Sequence, residues 1–348
     1  MRTLVDCDIH IAPQLHEDLK PYLSTHWQDY VNESAFVGPD ARDYPANAPL
    51  TTRPEVRVAR QNGGVDSLEA IQGHVLDSPD VDLGILVCAY WVQSVHHPDL
   101  AASLATAINQ WQIDCWLDRE PRLRASLVVP SQLPELAAQE IARFGHHPGF
   151  VQVLLPIRSD RPYGNRIYAP MLEAAVGHDL AIGIHYGGAA GHPPTPSGWP
   201  STFTEEYVDM AQLFQSQIMS LIIEGTFDKY PDLRVALLES GFTWMPSLMW
   251  RMDKEWKGLR HNIPWVRRPP SDYMREHIRL TTAPLDAPPD PVHLTQILEQ
   301  MESDEMLMYG SDYPHWHVDD PRAIFGYGLA EPLQDKIGFG NARAFYRL

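Results

Sequence analysis

The chain has 348 residues, 44% of them hydrophobic and 21% charged, enough to bury a large core. Its 27 Lys and Arg against 45 Asp and Glu give a formal net charge of −18, which disfavours nucleic acid and anionic membrane as partners. The three cysteines, Cys7, Cys88 and Cys115, include no CxxC pair, which argues against a disulfide framework and for a reduced, cytoplasmic compartment.

The opening MRTLVDCDIH has no apolar run of signal-peptide length, and no later run approaches a membrane span. The first predicted strand covers residues 3–10 (TLVDCDIH). About seventy residues, 11–80, then follow, rich in Pro, Asp, aromatic and Arg residues and without clear periodicity. A connection of that length is expected to be a cap or lid within the same domain. Apolar runs of strand length recur at 81–88 (VDLGILVC), 123–130 (LRASLVVP), 149–156 (GFVQVLLP), 180–187 (LAIGIHYG), 233–240 (LRVALLES), 277–284 (HIRLTTAP) and 305–312 (EMLMYGSD). Most are apolar throughout, as expected of parallel strands covered by helices.

Helical spacing fills most of the intervals. Residues 99–119 place Leu100, Leu104, Ala107, Ile108 and Trp111 on one face, and 133–144, 169–179, 210–230 and 291–301 follow the same pattern. Eight strand–helix units predict an α/β fold, a distorted (β/α)8 barrel formed by the whole chain as one domain. A doubly wound open sheet is the alternative, but no Gly-rich nucleotide turn follows an early strand.

In such a barrel the active site lies at the C-terminal strand ends. The first strand ends in Asp6, Asp8 and His10, the fifth in His185, the sixth in Glu239, and the eighth in Asp312 with His315 just beyond. Side chains two apart on a strand share a face, so Asp8 and His10 can enter one cavity. Taken singly, each has a plainer reading: a hydrogen-bonded structural His185, a helix-capping Asp8, a turn-forming Asp312 before Tyr313-Pro314. Together, two imidazoles and two carboxylates make a mononuclear site for one divalent ion, Zn²⁺ or Mn²⁺.

These motifs resemble the amidohydrolase superfamily, in particular the branch of aminocarboxymuconate-semialdehyde decarboxylase and the resorcylate decarboxylases. The marks are DCDIH at 6–10, IGIHYGG at 182–188 and YGSDYPHW at 309–316. The resemblance implies a distorted TIM barrel with one catalytic metal, its ligands mapping onto Asp8, His10, His185 and Asp312. Two positions depart from the pattern. Asp8 stands where many members carry the first His of His-x-His, and Glu239-Ser240-Gly241 stands where many have a His followed by glycines. Glu239 can therefore be the acid/base, an additional ligand, or a structural carboxylate paired with an Arg or capping a helix; a place in the active site is the favoured reading.

Glu239, Asp312 and His185 are the candidate catalytic residues. Arg158, after the fourth strand, could hold a substrate carboxylate or form an exposed salt bridge. His192 and Trp199 lie in the loop after the fifth strand, at lid position. His315 and His317 could orient Asp312 or lie at the surface, and Arg53, Arg57 and Arg60 belong to the insertion. HEDLK at 16–20 is not a zinc helix, since Lys20 occupies the second His position. The expected function is metal-dependent nonoxidative decarboxylation of a small carboxylated aromatic or cyclic molecule. Hydrolysis by a metal-activated water is the alternative, and a catalytically inactive binding barrel the third reading. The 10 Trp and 14 Tyr fit aromatic pocket walls or a homodimer interface equally well.

Overall fold

Eight strands pair in parallel and in sequence order: β1 (Leu4–Ile11), β2 (Val81–Cys88), β3 (Leu123–Val128), β4 (Phe150–Pro156), β5 (Ala181–His185), β6 (Val235–Leu238), β7 (Ile278–Thr281) and β8 (Leu307–Met308). The segment after β8 closes the ring on β1. There the Cys7 amide donates to the Tyr309 carbonyl at 3.0 Å and the His10 amide to the Tyr313 carbonyl at 2.7 Å. The result is a (β/α)8 barrel. The computed structural model describes residues 3–39, 48–57, 64–65, 67–188, 193–316 and 320–348.

The strand runs read as continuously apolar because both faces are covered. Outward residues such as Ile182, Ile184, Val235, Leu237 and Leu280 pack beneath the helices. Inward ones, among them Val5, Ile85, Val87, Leu154, Ala181, Ala236 and Met308, form a second cluster with Phe345 and Tyr346. Tyr346 donates to Gln152 Oε1 at 2.9 Å and Gln152 to Ser126 Oγ at 2.8 Å, so the interior polar atoms answer one another. Gly183 makes room for them: a Cβ there would stand 2.6 Å from Gln152 Oε1.

Several strands are shorter than the apolar runs that announce them. β6 stops at Leu238 because Glu239 turns into the left-handed region, with φ of 58°. β8 keeps only two residues, and Asp312, with φ of 55°, turns the chain in the same way. Non-glycine residues adopt this conformation rarely and under strain, and both positions lie at the barrel mouth.

The long connection after β1 is not devoid of regular structure, since it contains the helices Thr25–Glu33 and Leu68–Ile71. Its backbone is stitched to the strand ends. Val65 donates to the His10 carbonyl (3.1 Å) and Ala12 to the Val65 carbonyl (2.9 Å), while Arg53 donates to Pro314 O (3.1 Å) and Trp316 to Thr51 O (3.0 Å). Arg57 holds this segment itself, donating to Thr52 O. Arg60 lies outside the described residues.

Candidate metal centre

The site begins with an irregularity in β1. Asp6 pairs with Gly84 and Ile9 with Leu86, so three steps along β1 match two along β2. This extra residue is a bulge, and it resets the alternation of side chains. Cys7 belongs to the barrel interior, and Asp8 and His10 also turn inward above it.

His185, at the end of β5, meets them: its Nε2 is 3.4 Å from Asp8 Oδ1. His10 Nε2 lies 3.3 Å from Asp8 Oδ1 and 3.1 Å from Asp312 Oδ1. These approaches lack hydrogen-bond alignment. Both carboxylate oxygens of Asp8, both ring nitrogens of His10, His185 Nε2 and Asp312 Oδ2 are buried without a hydrogen-bond partner among the described residues. The atoms point at a shared space rather than at one another. Burying that many uncompensated polar atoms costs several kcal/mol, and one divalent cation would satisfy one atom from each of the four residues. One ligand atom from each of Asp8, His10, His185 and Asp312 lies within 4.8 Å of the others, so the cluster can hold one metal ion. The donor set of two carboxylates and two imidazoles suits Mn²⁺ or Zn²⁺.

The surroundings fix these donors. His185 Nδ1 donates to the Tyr186 carbonyl at 2.7 Å, which fixes the ring with Nε2 facing the cluster. His315 Nδ1 donates to Asp312 Oδ1 at 2.9 Å, and its ring centroid stands 4.6 Å from that of His10. Of the two roles considered for His315, the structure places it on Asp312 rather than at the surface; His317 lies outside the described residues. Asp8 is a strand residue and caps no helix.

Charge follows the same geometry. Burial works against the ionised form of Asp8 and Asp312, but nearby imidazoles outweigh it: His185 and His10 hold Asp8 below the carboxylate range, and His315 and His10 hold Asp312 below it. Burial alone would lower His10, yet the Asp312 and Asp8 carboxylates push it well above the imidazole range. A proton on His10 thus occupies the electrostatic place a cation would take.

Glu239 completes the mouth. By alternation, Leu238 faces inward and the next side chain would face the helices; the left-handed backbone turns Glu239 back over the cluster. Its Oε2 is 3.8 Å from His185 Nε2, and its Oε1 accepts from Tyr207 at 2.8 Å. Its amide donates to Thr281 Oγ1 at 3.0 Å. Among the described residues it has neither an Arg partner nor a capping role. Burial, then the Asp312 charge, pushes its carboxyl well above the usual range and so favours its protonated form.

Other candidates fall farther out. Arg158 is buried and ion-paired with Glu206 of the Phe203–Ile223 helix, so the exposed salt bridge considered for it is instead a buried one. Trp199 is 50% exposed in the loop after β5, and His192 lies outside the described residues. Residue-by-residue reading missed Tyr207 and Trp91. Tyr207 comes from the first turns of that same helix, a surface-helix position with no local sign of its contact. Trp91, buried just after β2, stacks obliquely 6.1 Å from His185, and a Cβ on Gly187 would strike its indole at 2.9 Å.

A family model described as amidohydrolase matches residues 5–348. The gamma-resorcylate decarboxylase of Polaromonas sp. (strain JS666 / ATCC BAA-500) is 26% identical over 281 residues, 74% of this chain and 80% of that one. The gamma-resorcylate decarboxylase of Rhodococcus jostii (strain RHA1) is 24% identical over 321 residues, 80% and 91% of the two chains. Among solved structures, a 5-carboxyvanillate decarboxylase of Novosphingobium aromaticivorans DSM 12444 with manganese superposes with a TM-score of 0.73 at 20% identity, covering 100% of this chain and 96% of that one. A manganese-bound dihydroxybenzoic acid decarboxylase of Polaromonas sp. JS666 gives 0.71 at 24% identity, covering 100% and 98%. At these identities the solved structures speak for the fold, while the family match spans almost every residue, the four clustered donors included. This chain belongs to the amidohydrolase family.

Proposed function

We propose that the protein is a manganese-dependent, nonoxidative decarboxylase of a small hydroxylated aromatic carboxylate. The observation that carries this reading is the carboxyl of Glu239, held by Tyr207 with its Oε2 3.8 Å from His185 Nε2, facing a convergent Asp8–His10–His185–Asp312 cluster at the barrel mouth. The decarboxylase relatives support the reaction class, and the manganese in their solved structures supports the ion.

Asp8, His10, His185 and Asp312 would hold the ion, which when bound supplies positive charge to anchor substrate oxygens and offset the negative charge of the reacting ring. The remaining work falls to the chain. Glu239 delivers a proton from Oε2 to the ring carbon that bears the carboxylate. The bond from that carbon to the carboxylate then breaks, its electron pair restores the aromatic ring, and carbon dioxide leaves. Tyr207 holds the other oxygen of Glu239 and so orients the proton. His315 fixes Asp312. Trp91 and the loop bearing His192 and Trp199 would contribute to the substrate surround, while the charge of Arg158 is answered by Glu206.

The insertion over 11–80 is proposed as a cap on a single-domain barrel, supported by its stitching to the ends of β1 and β8. A cytoplasmic location is proposed with it, supported by three free cysteines. No helix among the described residues is long and apolar enough to cross a membrane. The net charge of −18 opposes nucleic acid as a partner, and a homodimer is the proposed assembly.

The test is carbon dioxide release by manganese-loaded protein from 2,6-dihydroxybenzoate and 5-carboxyvanillate. Glu239→Gln is expected to lower kcat by about 10²- to 10⁴-fold while keeping one equivalent of manganese. No release from either compound by the metal-loaded wild type, together with ester or amide hydrolysis, would overturn the proposal. Metal lost from Glu239→Gln would make Glu239 a ligand rather than the acid.

A further inference from the structure

We propose that Asp6 is a positioning residue for the metal centre: its carboxylate locks the β1 bulge to the chain after β8 and so sets the approach of Asp8 to Asp312. The inference rests on the ligand assignment made above.

Two segments bring these ligands together, and both are irregular where they do so. β1 carries its extra residue between Asp6 and Ile9. Across the closing seam, the Cys7 amide donates to Tyr309 O and the next ladder bond runs from His10 to Tyr313 O, so three residues on one side face four on the other. Within that gap the Ser311 amide has no backbone acceptor on β1. Asp6 Oδ1 takes it at 2.8 Å, and the same oxygen accepts from the Asp8 amide at 3.3 Å. One carboxylate oxygen thus stands in for a missing rung.

Its two donors are the amide of one ligand, Asp8, and the amide of the residue immediately before the other, Asp312. Asp6 is buried, with 1% exposure, so solvent does not compete for these bonds. Ser311 Oγ adds a longer contact to the Asp8 carbonyl at 3.5 Å and accepts from the Tyr313 amide at 3.2 Å. Asp6 itself is not in the ligand cluster. It acts through the backbone of those that are.

The experiment is titration of full-length apoprotein with Mn²⁺ by calorimetry, for the wild type, Asp6→Ala, Asp6→Glu, Asp6→Asn and Asp312→Asn. Glu140→Ala serves as a destabilised control, since Glu140 bonds Asn109 and Thr106 in the outer helices. Asp6→Ala removes the acceptor and Asp6→Glu displaces it by one methylene; both are expected to weaken Mn²⁺ binding about 10- to 100-fold. Asp6→Asn keeps an oxygen at the same reach and should stay within about threefold of wild type, as should Glu140→Ala despite a lower Tm. Should Asp6→Ala fail to fold, Asp6→Glu against Asp6→Asn carries the comparison. Wild-type affinity in the folded Ala or Glu variant would reduce Asp6 to a structural residue and end the proposal. If Asp312→Asn also binds normally, the ligand assignment is at fault instead; if only Asp312→Asn loses the ion, the failure belongs to Asp6 alone.

Discussion

A carboxylate directly after the apolar run Val235–Leu238 would be an error in an ordinary strand, and the backbone at Glu239 shows how it is tolerated. The left-handed turn moves one side chain from the helix side of the sheet to the barrel mouth, at a cost of roughly 1 kcal/mol or more in strain. A site that keeps a strained, buried carboxylate should gain stability when it is removed. Glu239→Gly relieves the backbone and deletes the buried acid, so it is expected to raise Tm by roughly 2 °C while abolishing turnover. Scanning calorimetry beside the activity assay would check it, and a lowered Tm would mean that the Tyr207 bond outweighs the strain.

At the scale of elements, the barrel and the cluster of candidate ligands were legible because periodicity and strand-end chemistry are local. His10, His185 and Asp312 could be placed from the residues beside them. The contacts of Asp6 and Tyr207 could not, because each depends on how two remote segments align: Tyr207 reaches Glu239 across 32 positions and Ser311 reaches Asp6 across 305, whereas His315 stands three residues from Asp312 and its orienting role was one of two local readings. Strand ends were overrun for the same reason, since the left-handed turns at Glu239 and Asp312 come from residues that do not favour them. The insertion offers a direct probe. Gly64 has φ of 116°, and a Cβ there would stand 2.5 Å from the His10 carbonyl carbon. Gly64→Ala should push His10 outward and weaken Mn²⁺ binding by about tenfold, measurable by the same titration, without replacing any candidate ligand. Another junction is electrostatic. Arg122 pulls Glu120 down to about 2 against its burial, with Gln72 assisting, where the insertion meets β3. A depressed carboxylate contributes stability above its unfolded value near 4.5 and loses it as pH falls toward 2. Glu120→Gln should therefore lower Tm by roughly 2 °C at pH 7, and the difference from wild type should close below pH 4.

For the whole molecule, the ion and the fold are coupled. Asp8, Asp312 and Glu239 crowd three buried carboxyl groups into one mouth, and their mutual repulsion favours protons on His10 and Glu239. Ion binding to the folded state alone adds about 2.7 kcal/mol at a hundredfold excess over Kd. Chelation should accordingly lower Tm by roughly 5 °C, reversed by Mn²⁺ and absent in Asp312→Asn.

The seam between β1 and the chain after β8 has a further consequence, in time rather than in space. The Asp6–Ser311 hydrogen bond joins residues 305 positions apart, among the longest loops this chain can close. Such contacts form late, after the local strand–helix units have condensed. The candidate ligands Asp8 and His10 are therefore made early in synthesis and wait, on an open edge, for nearly the whole chain to follow. Metal selection would then belong to the finished barrel, which offers its donors already spaced, and not to the nascent chain with only its loose Asp-x-His.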